Sequence, residues 1–127
     1  DGFRFVVDGV VPNGLTRVLS LASLGMTFKA VMASVDMILT KPGYGTIVEA
    51  VALGIPVVYV RRYNFPDEPP LVDHLHRYGR GAELSLTDFL QGRWHAAIEQ
   101  AFACPLSSTP PPLSGAQDAA HILKDYV

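Results

Sequence analysis

The sequence predicts an α/β fold built on a doubly wound parallel sheet. Three observations support this prediction: apolar runs of strand length recur along the chain, the middle runs are apolar on both faces, and helical patterns separate the later runs. Strands that are apolar on both faces are typical of a parallel sheet covered by helices on both sides. Because crossovers between parallel strands are right-handed, this alternation leaves few other topologies. The length of 127 residues fits one domain.

The elements follow in a regular order. We expect strands over residues 3–7, 17–22, 36–40, 57–60 and 82–84. We expect helices over residues 26–34, 46–53, 71–78, 87–103 and 116–126. Gly54 and Gly79 stand where the second and third of these helices should end, as glycine often does. Together these elements describe a Rossmann-like arrangement.

A proline-rich stretch divides the chain. Residues 105–115 contain four prolines, three serines and one glycine, which is typical of an extended connector. The sequence therefore predicts an α/β domain over residues 1–104, a connector over 105–115 and a C-terminal helix over 116–127. It leaves open whether that helix docks on this domain or on another. The chain starts Asp-Gly-Phe without an initiator Met, so we expect it to be a piece of a longer protein whose domain is incomplete at its N-terminus.

Composition excludes several classes of protein. A net charge of −2, from ten basic and twelve acidic residues, argues against nucleic-acid binding, which usually needs a basic surface. No uninterrupted apolar stretch reaches the ~18 residues of a membrane span. The single cysteine, Cys104, cannot form an internal disulfide, and a cytoplasmic location is expected. The four histidines show no metal-ligand spacing, so we predict no metal and no cofactor.

The most informative segment runs from residue 35 to residue 54, where a buried strand leads through a glycine turn directly into a helix. Ligands of open α/β sheets bind at the carboxyl ends of the strands, where this turn lies. We expect Gly43 and Gly45 to adopt positive φ and to let a ligand approach the backbone. Free N–H groups near residues 46–48 predict an anion site suited to a diphosphate. Neither a dinucleotide fingerprint nor a Walker loop is present.

This segment resembles the C-terminal donor domain of glycosyltransferase family 28, which includes the N-acetylglucosaminyltransferase that completes lipid II. Residues 33–50 read ASVDMILTKPGYGTIVEA, and residues 54–60 read GIPVVYV. The family pattern is an Ala-Asp pair, a strand, Gly-x-x-Thr, a Glu, Gly-x-Pro and a second strand. The resemblance covers roughly residues 24–84. It implies the C-terminal half of a GT-B architecture, which transfers a glycosyl group from a nucleotide-diphosphate sugar, UDP-linked in this family, to an acceptor hydroxyl.

The resemblance also implies roles for individual residues. Glu49 takes the position of the glutamate that binds the ribose hydroxyls, and Gly25-Met26 lies where the family backbone meets the uracil ring. The loop that contacts the donor sugar corresponds to Asp67-Glu68, although the glutamine of the family is absent. With the turn and helix start included, the implied donor-binding set comprises Gly25, Met26, Gly43, Tyr44, Gly45, Thr46, Glu49, Asp67 and Glu68.

Two parts of the family enzyme have no counterpart in this sequence. The family domain opens with an additional strand and a glycine-rich loop that touches the diphosphate. The catalytic base belongs to an N-terminal acceptor-binding domain, so the resemblance implies no catalytic residue in this chain. That absent domain is the expected protein partner, and membrane association is expected only through it.

Several other interpretations remain open. Thr46 and Glu49 also fit a capping box. Asp67 and Glu68 also fit plain helix-start residues before two prolines. Arg61 and Arg62 fit a phosphate contact, a domain contact or a solvated surface.

Two other classes of protein also fit parts of the sequence. Non-hydrolysing UDP-N-acetylglucosamine epimerases share the architecture, although their paired glutamates are absent. Residues 61–69 also resemble the glycosyltransferase-like part of plant sugar kinases such as arabinokinase, which suggests a non-catalytic nucleotide-sugar-binding module.

Overall fold

Five short strands form two parallel sheets in the computed structural model, which describes residues 2–127. The first sheet pairs β1 (Phe5–Val7) with β2 (Val18–Ser20). The second has the order β3-β4-β5, with β3 at Ile38–Thr40, β4 at Val57–Tyr59 and β5 at Gly81–Glu83. Each of the five lies within or beside a strand expected from the apolar runs, and all pairings are parallel.

Helices alternate with these strands, which confirms the α/β class and the Rossmann-like arrangement. After a 3-10 turn at Leu21–Leu24, the helices are α1 (Phe28–Met32), α2 (Tyr44–Leu53), α3 (Glu68–Tyr78), α4 (Leu86–Leu90), α5 (His95–Ala103) and α6 (Gly115–Lys124).

One expected helix is interrupted. The segment predicted as one helix over residues 87–103 is two helices, because Gly92 adopts a φ of 70° that a continuing α-helix cannot contain. The break is held by Arg93, whose guanidinium lies 2.6 Å from the Asp88 carboxylate. Trp94 is the N-cap of α5 and donates its indole N–H to the Phe89 carbonyl at 2.8 Å. This corner turns α5 back onto the sheet.

The three-stranded sheet is covered on both faces, as expected for buried parallel strands. Strand β4 is buried throughout. Because successive side chains of a strand point to opposite faces of the sheet, those of β4 contribute to two separate core clusters. Val57 and Tyr59 pack in a cluster with residues of α1, α2 and α3, whereas Val58 packs in a second cluster with α5. The sheet that positions the start of α2 is therefore anchored from both sides.

The two-stranded sheet is more exposed, and it does not pair with the three-stranded sheet in the described part of the chain. Val6 and Leu19 are exposed, while Phe5 contacts Trp94 edge-on at a ring distance of 5.9 Å. A groove of about 940 Å³ lies between β1 and β3. The doubly wound arrangement is thus present as two sheet segments.

The C-terminal region lies on the surface. Arg80 donates to the carbonyls of Phe102 and Cys104, at 2.6 and 2.8 Å, and so binds the end of α5 where the connector begins. Every residue of α6 is exposed. Within residues 2–127, no helix is both long enough and apolar enough to span a membrane.

Candidate binding cleft at the start of helix α2

Helix α2 starts directly after β3, at the carboxyl edge of the three-stranded sheet. Its N-cap is Gly43, which has no side chain to cap the helix, and its first residue is Tyr44. The first backbone bond of the helix runs from the Ile47 N–H to the Gly43 carbonyl at 2.9 Å. The N–H groups of residues 44–46 therefore have no partner among the described residues.

Because α2 starts at Tyr44, the expected anion site lies at other residues than the predicted ones. The free N–H groups were expected at residues 46–48, but the helix begins two residues earlier than the predicted start at Thr46. The reason is that Tyr44 and Gly45 already have helical conformations, so the donor-rich first turn is moved towards the glycine turn. The free donors belong to Tyr44, Gly45 and Thr46.

A cleft of about 390 Å³ opens between α1 and α2 at this helix start. Such a volume lies within the range of small-molecule sites, roughly 300–1,000 Å³. The cleft combines residues from both helices and from the turn between β3 and α2, namely Phe28, Lys29, Met32, Gly43, Tyr44, Gly45, Thr46 and Glu49. Five of the nine residues implied by the family resemblance are thus brought together in one cavity.

The two glycines of the turn leave space above the backbone. Neither Gly43 nor Gly45 has a positive φ, so that expectation is wrong. A Cβ built on either glycine would meet no atom within 4 Å. Their contribution in this structure is therefore open volume beside the free N–H groups, which allows a ligand to come close to the backbone.

Glu49 lies on the wall of the cleft and pairs with a lysine. The carboxylate is 3.5 Å from the Lys29 Nζ of α1, and the side chains of Lys29 and Glu49 are 74% and 37% exposed. The capping-box interpretation is wrong, because the N-cap is Gly43 and Glu49 is the sixth residue of α2. An exposed pair of this kind contributes little to stability, so the Glu49 oxygens remain accessible to a ligand.

Gly25 and Met26 do not line the cleft. Gly25 ends the 3-10 turn with a φ of 61°, and Met26 is 45% exposed. Thr27 then caps α1 by accepting a bond from the Ala30 N–H at 3.2 Å. The uracil contact that the resemblance implies for Gly25 and Met26 stays a prediction, since the cleft begins with Phe28.

Asp67 and Glu68 lie outside the cleft, where α3 begins. Asp67 is the N-cap but makes no capping bond with its side chain. Glu68 is fully buried, and its carboxylate accepts bonds from the Arg61 Nε at 3.0 Å and the Arg62 N–H at 3.1 Å. A third donor is the Tyr63 N–H at 3.4 Å. We call Arg61, Arg62, Tyr63 and Glu68 the Glu68 cluster.

The Glu68 cluster keeps its carboxylate ionised. Burial alone would raise the pKa of Glu68, but the bonds from the Arg62 and Tyr63 N–H groups and from both guanidinium groups outweigh burial and lower that pKa below its ordinary value. Both oxygens are occupied within the protein, which agrees with the helix-start interpretation of this residue. A sugar contact through Glu68 would require this cluster to open.

The cluster also reaches the start of α2. Arg62 donates from Nη2 to the Pro42 carbonyl at 2.9 Å, and its guanidinium lies 3.6 Å from the centroid of the Phe65 ring. Pro42 is buried and directly precedes the N-cap of α2. The arginine is therefore committed to internal contacts, and through Pro42 it links the loop after β4 to the loop after β3.

The remaining titratable groups near this edge form structural contacts. The Tyr59 hydroxyl shares a hydrogen bond with the His76 Nε2 at 2.7 Å, and burial, followed by the Glu83 charge, raises the pKa of Tyr59 to about 12. Tyr63, which has a φ of 60°, donates its hydroxyl to Glu83 at 2.5 Å. Within the described residues, no group of three or more His, Cys, Asp or Glu could hold a metal ion.

Sequence reasoning did not assign three residues of the cleft, namely Phe28, Lys29 and Met32. All three belong to α1, whose pattern indicated only packing. Only the order of the elements could have indicated these residues, because α1 directly precedes β3 and so packs beside α2. Met32 is almost fully buried and forms the floor of the cleft.

The chain is similar to one curated protein, the L-arabinokinase of Arabidopsis thaliana. The two are 37% identical over 98 residues, which cover 75% of this chain. The chain spans only 9% of the length of that relative. No protein-family model matches the chain, and no solved structure matches it at a significant level. The relative is named as a kinase, whereas the resemblance to glycosyltransferase family 28 stays a prediction from the sequence.

Proposed function

We propose that this chain binds a nucleotide-diphosphate sugar, with uridine as the nucleoside, as the donor-binding half of a GT-B-type glycosyltransferase. The observation that carries the proposal is the cleft itself, in which three free N–H groups of α2 open beside an accessible carboxylate. Free N–H groups at a helix start favour a diphosphate. A carboxylate can accept two bonds from the vicinal hydroxyls of a ribose.

The chemistry follows from these contacts. In the complete protein, a glycosyl group would pass from the diphosphate to an acceptor hydroxyl, and the start of α2 would stabilise the negative charge of the departing diphosphate. The acceptor site and the catalytic base would come from a domain outside this chain. The proposed location is the cytoplasm, with membrane contact only through that other domain, and the proposal includes no metal and no nucleic acid.

The similarity to L-arabinokinase favours a second candidate. On that proposal, the chain is a nucleotide-sugar-binding module of a longer sugar kinase and transfers no glycosyl group itself. The two candidates share the cleft and differ in the reaction of the complete protein. Assaying the complete protein for glycosyl transfer from a UDP-sugar, and for ATP-dependent phosphorylation of a free sugar, separates them.

A matched pair of variants tests the role of the backbone. Tyr44→Pro removes the N–H at the first position of α2, where proline is well tolerated, whereas Tyr44→Ala removes the same side chain and keeps the N–H. Gly43 is extended, as a residue before proline prefers. We expect Tyr44→Pro to bind UDP about tenfold more weakly than Tyr44→Ala, measured by calorimetry, because one hydrogen bond to a charged group is lost.

The ligand series decides the identity of the ligand. UDP and UDP-sugars should bind, and inorganic pyrophosphate should bind more weakly at the same site. Binding of NAD without binding of UDP would contradict the proposal, as would equal affinity of the Tyr44→Pro and Tyr44→Ala variants for UDP. Glu49→Gln should weaken UDP binding, because the carboxylate that would accept from the ribose hydroxyls is lost. Asp73→Asn is its control and should leave UDP binding unchanged, because Asp73 is an exposed carboxylate of α3 outside the cleft.

A further inference from the structure

Two aromatic rings stand on opposite helices of the cleft. Phe28 is the first residue of α1 and Tyr44 is the first residue of α2, and both residues line the cavity. They are 50% and 59% exposed. Among residues 2–127, neither ring is stacked on another ring or beneath a cationic group.

Single exposed aromatic residues are common on protein surfaces and need no explanation. Here, however, two unpartnered rings share one concave site with three free N–H groups and an ion pair. The ring of Tyr44 belongs to the same residue as the first free N–H. A ligand that places an anionic group at that N–H therefore contacts the residue that carries this ring.

We infer that Phe28 and Tyr44 form a stacking subsite for the nucleobase of the ligand. Flat heteroaromatic rings stack well on aromatic side chains, and every base offers such a face. This inference rests on the proposed function and relocates one part of it. The base would be held by two side chains of the cleft rather than by the backbone at Gly25-Met26, which does not line the cavity.

The stacking subsite predicts which part of the cleft binds which part of the ligand. The N–H groups of α2 would hold the diphosphate whether or not a base is attached. The rings would act only on ligands that carry a base. The cleft should therefore prefer UDP over inorganic pyrophosphate, and the preference should depend on the rings.

Three substitutions and one control test this division. Tyr44→Leu and Phe28→Leu remove a ring, and Tyr44→Phe keeps the ring and removes the hydroxyl. Tyr126→Leu removes an aromatic ring that is 83% exposed and lies outside the cleft. Because Phe28 and Tyr44 are half-exposed, all four variants should fold, which thermal unfolding checks.

The measurement is an NMR titration of the chain with UDP and, separately, with pyrophosphate. Tyr44→Leu and Phe28→Leu should each weaken UDP binding roughly tenfold, while Tyr44→Phe and Tyr126→Leu change it by less than about twofold. Pyrophosphate affinity should be the same in all variants. The uracil H5 and H6 signals should shift upfield on binding, and this shift should shrink in both leucine variants.

The outcomes separate the two levels of the proposal. If the leucine variants leave UDP binding unchanged, or weaken both ligands equally, the stacking subsite is wrong and the diphosphate site stands. If the protein binds UDP no better than pyrophosphate, the cleft does not recognise the nucleoside, and both the subsite and the nucleotide part of the proposed function fail. If the protein binds neither ligand, the proposed function fails and the subsite fails with it.

Discussion

Helices α2 and α3 both begin at the same edge of the sheet. The polar groups at the start of α2 are free, whereas those at the start of α3 are already hydrogen-bonded within the protein. At α2, three backbone N–H groups are free and the nearby carboxylate of Glu49 makes only an exposed ion pair. At α3, the carboxylate of Glu68 is fully buried, and two arginines and two backbone N–H groups surround it. By sequence, Glu49 in the second turn of α2 and Glu68 at the start of α3 both fit ligand binding, but only Glu49 has capacity left for a ligand.

The difference shows that a carboxylate at the carboxyl edge is available only if the protein does not satisfy it. Buried charges are retained when several donors compensate them, and such groups serve the fold. The Glu68 cluster also supports the open site, because Arg62 bonds the Pro42 carbonyl directly before α2. The cluster that stabilises the loop after β4 thus adjoins the loop at which we propose ligand binding.

The largest expected effect is the loss of the buried carboxylate. Glu68→Ala should lower the free energy of unfolding by about 3 kcal/mol or more, because two guanidinium groups and two N–H groups lose their partner. Chemical denaturation measures this change. Asp73→Ala on the same helix, where the carboxylate is 65% exposed and pairs with Arg77, should cost less than about 1 kcal/mol. Equal effects of the two substitutions would contradict the contrast between the loops.

A second effect concerns pH. The folded-state pKa of Glu68 lies below the ordinary value of 4.5, so its ionised form stabilises the fold fully above that value. As the pH falls below 4.5 towards the folded pKa, the unfolded chain takes up the proton first and this stabilisation is lost. The stability difference between the protein and Glu68→Gln should therefore shrink in acid. Urea unfolding at pH 7 and at successively lower pH values tests this, and a constant difference would refute it.

The smallest expected effect is at the open site. Lys29→Met should change the free energy of unfolding by less than about 1 kcal/mol, because the Lys29–Glu49 pair is exposed and 3.5 Å apart. The same variant should bind UDP more weakly, since the ammonium of Lys29 lines the cleft, and the loss should diminish at high salt. A large loss of stability with unchanged UDP affinity would show that Lys29 serves the fold and not ligand binding, and would contradict the contrast between the cleft and the Glu68 cluster.

Local patterns were sufficient for most of the elements. The apolar runs placed all five strands, and Gly54 ends α2 with a φ of 68°, as its position indicated. The single helix over residues 87–103 failed, because Gly92 takes a positive φ there and the Asp88–Arg93 bond holds the corner. A glycine inside a helical pattern does not reveal its φ, which depends on how the following helix packs on the sheet.

The candidate site was predicted in part. Residues 43–46 and Glu49 could be grouped because they follow one strand in an unbroken segment. Phe28 and Lys29 could not, because their place depends on how α1 packs beside α2. Asp67 and Glu68 looked similar to Glu49 as acidic residues near a strand end, and only the structure shows that Glu68 is buried and that neither residue lines the cleft.

By itself, the sequence determined the α/β class, the strand positions and the glycine turn that leads into α2, because these depend on local apolar periodicity and backbone preference. The tertiary structure alone decided which polar groups remain free. Three N–H groups and Glu49 open into a cleft, while Glu68 is enclosed by Arg61 and Arg62. The physical reason is that the availability of a charge depends on the donors and solvent around it, and those are brought together only when the chain folds.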